Sequence, residues 1–248
     1  MKTIYLVTLL ILFLVGCKCV DKAVSSGGID TASWYADIQV QAIENQTTVD
    51  IHLKHEKESG SVINLESIDE LHVTAGGTTK ILREFLNGSN CCWYRAIFDV
   101  GAPGTEFNIA LQRQQKTPAP NSFVTLPDGL TMTSPTPNQI FSRDGDLTVA
   151  WEPSMPAKNL SVNFAFACGD HHFQGLIETV NDTGSRPYQV ADLTSNWNSV
   201  GEVSCNVTIT LTRENTGSLD NNYRNGRIVA RRTATVSVVI QPPGTGTP

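Results

Sequence analysis

Charge is scarce in this chain, and positive charge scarcest. Charged residues make up 17% of the 248, and 18 Lys and Arg against 24 Asp and Glu leave a net charge of −6. A mildly acidic protein has no electrostatic footprint for nucleic acid, and there is no polybasic run for anionic lipid. The densest basic stretch, Arg231-Arg232 with Arg227 nearby, reads as a solvated edge, because neighbouring strand residues point to opposite faces. Helix-period apolar patterns are scarce as well. So are catalytic signatures: the chain has no Gly-x-Ser-x-Gly elbow and no Walker or dinucleotide glycine pattern. A calcium loop beginning at Asp144 would need Glu at its twelfth position, which is Met155. No cofactor and no enzymatic activity is expected.

Long apolar runs are absent with one exception. Lys2 is followed by residues 4–15, apolar but for Thr8. One cation and then about a dozen apolar residues is the pattern of an export signal; a spanning helix needs roughly 20. The run ends in Leu14-Val15-Gly16-Cys17, which resembles the lipobox of bacterial lipoproteins. The resemblance implies cleavage before Cys17 and a diacylglycerol on its thiol, hence a palmitate-type anchor in the cell envelope. Lys18 in place of Asp implies the outer membrane by enterobacterial sorting rules. Loss of Lys2 with residues 1–16 takes the net charge from −6 to −7. The alternative, an ordinary secretory signal, leaves Cys17 and Cys19 free to form disulfides. Residues 17–33, with Ser25-Ser26-Gly27-Gly28 inside, read as a flexible lipidated tether.

What remains is rich in Thr, Ser, Val and Asn, a composition that favours strands and turns. Apolar residues alternate at Ile38 and Val40, then Val49, Ile51 and Leu53, then Leu71 and Val73, then Tyr94, Ala96 and Phe98, and then Phe107, Ile109 and Leu111. Gly76-Gly77 between short apolar runs predicts a hairpin. Strands of period 2 at about ten-residue spacing predict a half-buried antiparallel sandwich. A second set follows at 147–151, 162–168, 203–211 and 234–240, its last two strands long enough to pair around a tip at 215–225. The expectation is therefore all-β: a first β-sandwich over 34–113, a linker over 114–121, a second sandwich over 122–241 and a disordered tail over 242–248.

The run Asp146-Leu147-Thr148-Val149-Ala150-Trp151-Glu152-Pro153 resembles the second strand of fibronectin type III modules, where Pro closely follows a core Trp. A Cys168/Cys205 pair departs from that family and resembles immunoglobulin modules instead, although Trp151 precedes both cysteines. Together they imply two tandem immunoglobulin-like sandwiches of no particular subfamily.

Export implies an oxidising compartment. Cys168 and Cys205 fall on the apolar faces of their strands, which supports a buried disulfide. Cys91-Cys92 would face opposite ways on a strand, so they form a vicinal bridge, pair in part with Cys19, or serve a redox role. His171-His172 after Gly169-Asp170 are weak metal candidates without a second ligand cluster, and His52 and His55 face opposite ways. Trp34, Trp93 and Trp197 are candidates for a sugar-stacking platform. The expected partners are the membrane, through the N-terminal lipid, and another envelope protein. The expected function is a non-enzymatic interaction module, with carbohydrate binding as the alternative.

Overall fold

The computed structural model describes residues 23–87 and 90–243, the side chains of 86–92 excepted. The strands are β1 (Val24–Ser25), β2 (Trp34–Ile43), β3 (Gln46–His55), β4 (Ile63–Asn64), β5 (Glu70–Ala75), β6 (Thr78–Ile81), β7 (Arg83–Asn87), β8 (Asn90–Phe98), β9 (Glu106–Gln112), β10 (Ala119–Thr125), β11 (Thr131–Ser134), β12 (Ile140–Ser142), β13 (Asp146–Glu152), β14 (Met155–Cys168), β15 (His171–Asp182), β16 (Ser185–Gln189), β17 (Cys205–Thr216) and β18 (Asn225–Gln241). The one α-helix among the described residues, α1 (Trp197–Val200), is a single turn. The chain is all-β, as its alternation predicts.

Two cores form. Module 1 packs the sheet β10-β9-β5-β6 against β2, β3, β8 and β7, burying Trp34, Ile38, Ile51, Phe98, Phe107 and Leu111. Each such side chain contributes about 1.5–3 kcal/mol of transfer free energy. Gly76 and Gly77, both at positive φ, close the β5–β6 hairpin at the predicted place. Module 2 packs β11-β13-β16 against β15-β14-β17-β18, with β12 pairing β18 in parallel. This is an immunoglobulin-like sandwich. Trp151 lies in its core on the second of these strands, β13, as the resemblance implies.

The modules are not strung on a linker. The segment expected to connect them, 114–121, runs into β10, which pairs β9 and belongs to module 1. The physical connection is the hairpin β17–β18. Its register is continuous from Cys205↔Ile240 to Thr216↔Val229. The first half of β18 pairs β2 in parallel, so one large sheet runs through both modules. Because the side-chain period is 2 and never slips, one face of β18 serves both cores. Ile228 and Ala230 are buried in module 1, and Val236, Val238 and Ile240 in module 2. Gly226 begins this pairing: it sits at φ 149°, and a Cβ there would lie 2.1 Å from the Ala36 carbonyl oxygen.

Between the two cores the same face carries arginines. Arg213 donates to Asp182 from Nε at 2.6 Å and from Nη2 at 3.0 Å, and to the Gly129 and Pro153 carbonyls. Trp151 Nε1 donates to the same carboxylate at 2.6 Å. Burial alone would raise the Asp182 pKa; the bonds from Arg213 and Trp151 outweigh it and hold the carboxyl below its ordinary value. Arg232, expected in a solvated edge, is only 8% exposed and donates to the Gly101 and Pro127 carbonyls. It faces the junction, whereas Arg231 faces outward and pairs with Glu214 at 2.7 Å.

The expected tether is also shorter than residues 17–33. β1 pairs β4, and Ser26 and Thr31 are fully buried. Arg113, whose side chain has no exposed surface, holds this segment down. It bonds the Ser26 carbonyl, the Ile29 carbonyl at 3.1 Å and Thr31 Oγ1 at 3.0 Å, and pairs with Asp69 at 3.2 Å. A short, polar, Gly-containing stretch folds because a buried guanidinium needs its carbonyls. Cys17 and Cys19 lie outside the described residues, as do the expected tail from 244 onward and the side chains of Cys91 and Cys92.

Cys168 and Cys205 form a disulfide with Cα atoms 4.2 Å apart. It joins the adjacent strands β14 and β17 of one sheet, one step past the Ala167↔Asn206 pair. The bridge of immunoglobulin domains crosses between sheets, so that part of the resemblance does not hold.

Candidate functional site: the outer face of the module 1 sheet

One face of β18, β2, β3, β8 and β7 covers the module 1 core. The other carries an uneven distribution of side chains. Cross-strand register aligns Arg227 with Asp37, Asp37 with His52, and Phe85 with Trp93. The Trp93 and His52 rings stack with centroids 4.9 Å apart and planes at 25°, which completes the row. The next row sets Val229 beside Gln39, Gln39 beside Asp50, and Asp50 beside Arg95. Tyr35 stands one row further out, opposite Lys54.

Arg95 and Arg227 are each held by a carboxylate. Arg227 grips Asp37 with two bonds of 2.9 and 3.0 Å, and Arg95 grips Asp50 with two of 2.6 and 2.8 Å. Such two-pronged pairs fix both partners' orientation. Gln39 Nε2 also donates to Asp37 at 3.2 Å. The bonds to their carboxylates raise both arginines above their ordinary pKa. The Arg95 guanidinium lies 4.0 Å from the Phe85 ring centroid, a cation–π contact. Asp37 and Val229 are buried although they face away from the core; Gln39 and Arg227 lie against the Asp37 carboxylate.

His52 Nε2 and Trp93 Nε1 are buried atoms without a hydrogen-bond partner. Burial lowers the His52 pKa, Lys54 lowers it further, and Asp37 opposes them less strongly, so the ring is mainly neutral at pH 7. The outcome is a preset relief of Trp, His, Phe, Tyr and locked Arg. Aromatics and Arg are enriched where protein surfaces meet.

The other residues singled out from sequence are scattered. Trp34 is fully buried in the module 1 core beneath Arg113, whose Cζ is 4.4 Å from its ring, so it cannot face a ligand. Trp197 is half-buried in module 2, edge-on to Phe166 at 5.3 Å, with its Nε1 bonded to the Val190 and Ala191 carbonyls. Only Trp93 belongs to the face described, so the three make no common platform. His171 and His172 are exposed at the start of β15, where adjacent residues point to opposite faces. Among the described residues, no group of three His, Cys, Asp or Glu is placed to hold a metal.

Sequence reading passed over Phe85, Asp37, Asp50 and Arg95, and took Arg227 only as the neighbour of a solvated basic edge. Asp37 and Arg227 are 190 residues apart, and nothing local joins them. The available signal was parity: Trp93 and Arg95 occupy the polar-side positions of a strand whose core residues are Tyr94, Ala96 and Phe98.

No family model matches the chain, and no curated protein matches it. Solved structures do. The fibronectin(III)-like modules of CbhA from Clostridium thermocellum are 10% identical, with 86% of this chain and 94% of that one covered and a TM-score of 0.23. The FN1–FN3 domains of chicken CNTN1 are 9% identical, with 83% and 66% covered and a TM-score of 0.29. SGBP-B of a Bacteroides ovatus mixed-linkage glucan utilization locus, solved with a mixed-linkage heptasaccharide, is 10% identical, with 85% and 61% covered and a TM-score of 0.21. At these identities and scores the likeness carries no argument about function.

Proposed function

We propose that this protein is a non-enzymatic binding module of the bacterial cell envelope, anchored by lipid on Cys17, that recognises a partner protein through the outer face of module 1. The observation that carries this reading is the pair of rows holding Phe85, Trp93, His52, Arg95 and Arg227. Their charges are already paired and their rings already stacked. Binding through such a face loses little side-chain entropy, because the groups are ordered beforehand. Anchoring on Cys17 adds a constraint. The first described strand begins at Val24. From Cys17 to Val24 the chain spans at most roughly 25 Å when fully extended. The partner is then an outer-membrane component close to the headgroups rather than a distant one.

Carbohydrate recognition by Trp34, Trp93 and Trp197 as a set has no support, because they share no surface. The test of the protein-binding reading is in-cell cross-linking of the lipidated chain, with mass spectrometry of what comes with it. The expected result is a partner at near-equal stoichiometry, lost on Trp93→Ala and on Arg95→Glu, as for interface residues each worth about 2 kcal/mol or more. A partner indifferent to both substitutions, or none from abundant folded protein, overturns it. Palmitate labelling of the native chain, absent from Cys17→Ala, tests the anchor separately.

A further inference from the structure

Where the two modules meet, the outer side of the continuous sheet carries a recess. A groove of about 980 Å³ lies there. Its floor crosses five strands. Register sets Thr179 beside Ser161, Ser161 beside Thr212, and Thr212 beside Thr233. Gln41 Nε2 on β2 donates to Thr233 Oγ1 at 3.3 Å. Four strand intervals of about 4.8 Å give this row a length of about 19 Å.

One wall is the edge strand β10. It is held to the hairpin by paired backbone bonds between Phe123 and Ser218, both 2.9 Å, and by Asn215 Nδ2 donating to the Thr125 carbonyl at 3.0 Å. Ser122 and Val124 are buried, which turns Phe123 outward; it is 43% exposed and lines the groove. Lys158 and Asn159, at the irregular start of β14, also line it.

The charges in this groove are already spent within the protein. Arg231 pairs with Glu214 at 2.7 Å, and Lys158 with Asp128 at 3.0 Å. An anionic or cationic ligand would have to displace one of these partners. An apolar ligand would strand the hydroxyls and amides of the floor without hydrogen bonds. A neutral chain bearing many hydroxyls meets neither cost: its hydroxyls pair with Thr, Ser, Gln and Asn, and an apolar ring face rests on Phe123. We infer that the groove between the modules is a binding site for a neutral linear oligosaccharide lying across the strands. The site is separate from the module 1 face and does not depend on the protein-binding reading.

The test is calorimetry and saturation-transfer NMR on the full mature chain, kept in a detergent without sugar headgroups. The probes are cellohexaose, maltohexaose and chitohexaose. At least one should bind, with an affinity insensitive to salt because no charge pairing is exchanged. Phe123→Ala should weaken binding about tenfold, Thr212→Tyr should fill the floor and abolish it, and Trp93→Ala should leave it unchanged. Circular dichroism and the Cys168–Cys205 bridge serve as fold controls for each variant. The inference fails if no probe binds the folded protein at millimolar concentration. It fails equally if binding survives both groove substitutions, depends on Trp93, or weakens steeply with salt.

Discussion

Asp182→Asn tests the junction between the cores directly. In the native protein the Arg213 side chain is 3% exposed and the Asp182 side chain fully buried, joined by bonds of 2.6 and 3.0 Å. The amide keeps the volume and one acceptor oxygen but removes the charge, leaving a buried guanidinium facing only neutral carbonyl oxygens and an NH2 group that cannot accept. Removing one partner of a buried pair costs about 3–5 kcal/mol. Loss of the carboxylate that accepts from Trp151 Nε1 falls within that sum rather than adding to it. Against a typical total of about 5–15 kcal/mol this is a large fraction. In urea unfolding followed by tryptophan fluorescence, the midpoint should fall with an unchanged slope. Because β17 and β18 belong to both modules, the change should appear as one transition shared by both rather than as the early loss of one. The pH dependence follows from the sign of the shift. A carboxyl held below its ordinary value stabilises fully above an unfolded pKa of about 3.9 and loses that contribution as pH falls through the lower folded value. Native protein should therefore lose stability on acidification that the Asn variant has already lost. Replacing the pair by Asp182→Leu with Arg213→Met should recover most of the deficit. A cost below about 1 kcal/mol for Asp182→Asn would refute the reasoning, since that is the range of a solvated surface pair.

Three further outcomes are expected. Gly226→Val places a side chain against the Ala36 carbonyl 2.1 Å from its Cβ, so it should unseat β18 from β2 and raise amide exchange throughout both strands. Replacing Cys168 and Cys205 together by Ala should lower stability by roughly 3–4 kcal/mol in the chain-entropy model without changing the far-ultraviolet spectrum. NMR titration should place His52 below the ordinary histidine midpoint, and Lys54→Ala should raise it; since the folded ring resists protonation, stability falls as pH drops below about 6.5.

Much of the fold was legible in the sequence, and the candidate site far less so. Alternation located the core of β2, β3, β5, β8 and β9 residue by residue, because a strand's two faces differ in burial and the period exposes that difference. The same rule put Cys168 and Cys205 on buried faces. It said nothing of which strand lies beside which. Residues 114–121 looked like a linker because they are polar and carry two Pro, yet Ala119 is buried in β10 beside Leu111.

The sequence by itself determined that the chain is all-β, that its last two long strands form a hairpin, and that two cysteines meet inside a core. These follow from local periodicity and turn chemistry, which act over a few residues. Tertiary structure decided what depends on pairing across the chain. The parallel match of β18 with β2 joined two sandwiches into one sheet, brought Arg227 to Asp37, and turned Arg232 into the junction while Arg231 stayed outside. Arg113 likewise converted most of an apparent tether into folded structure by claiming its carbonyls. A charged residue's role is set by the partners that surround it after folding, and these lie tens to nearly two hundred residues away.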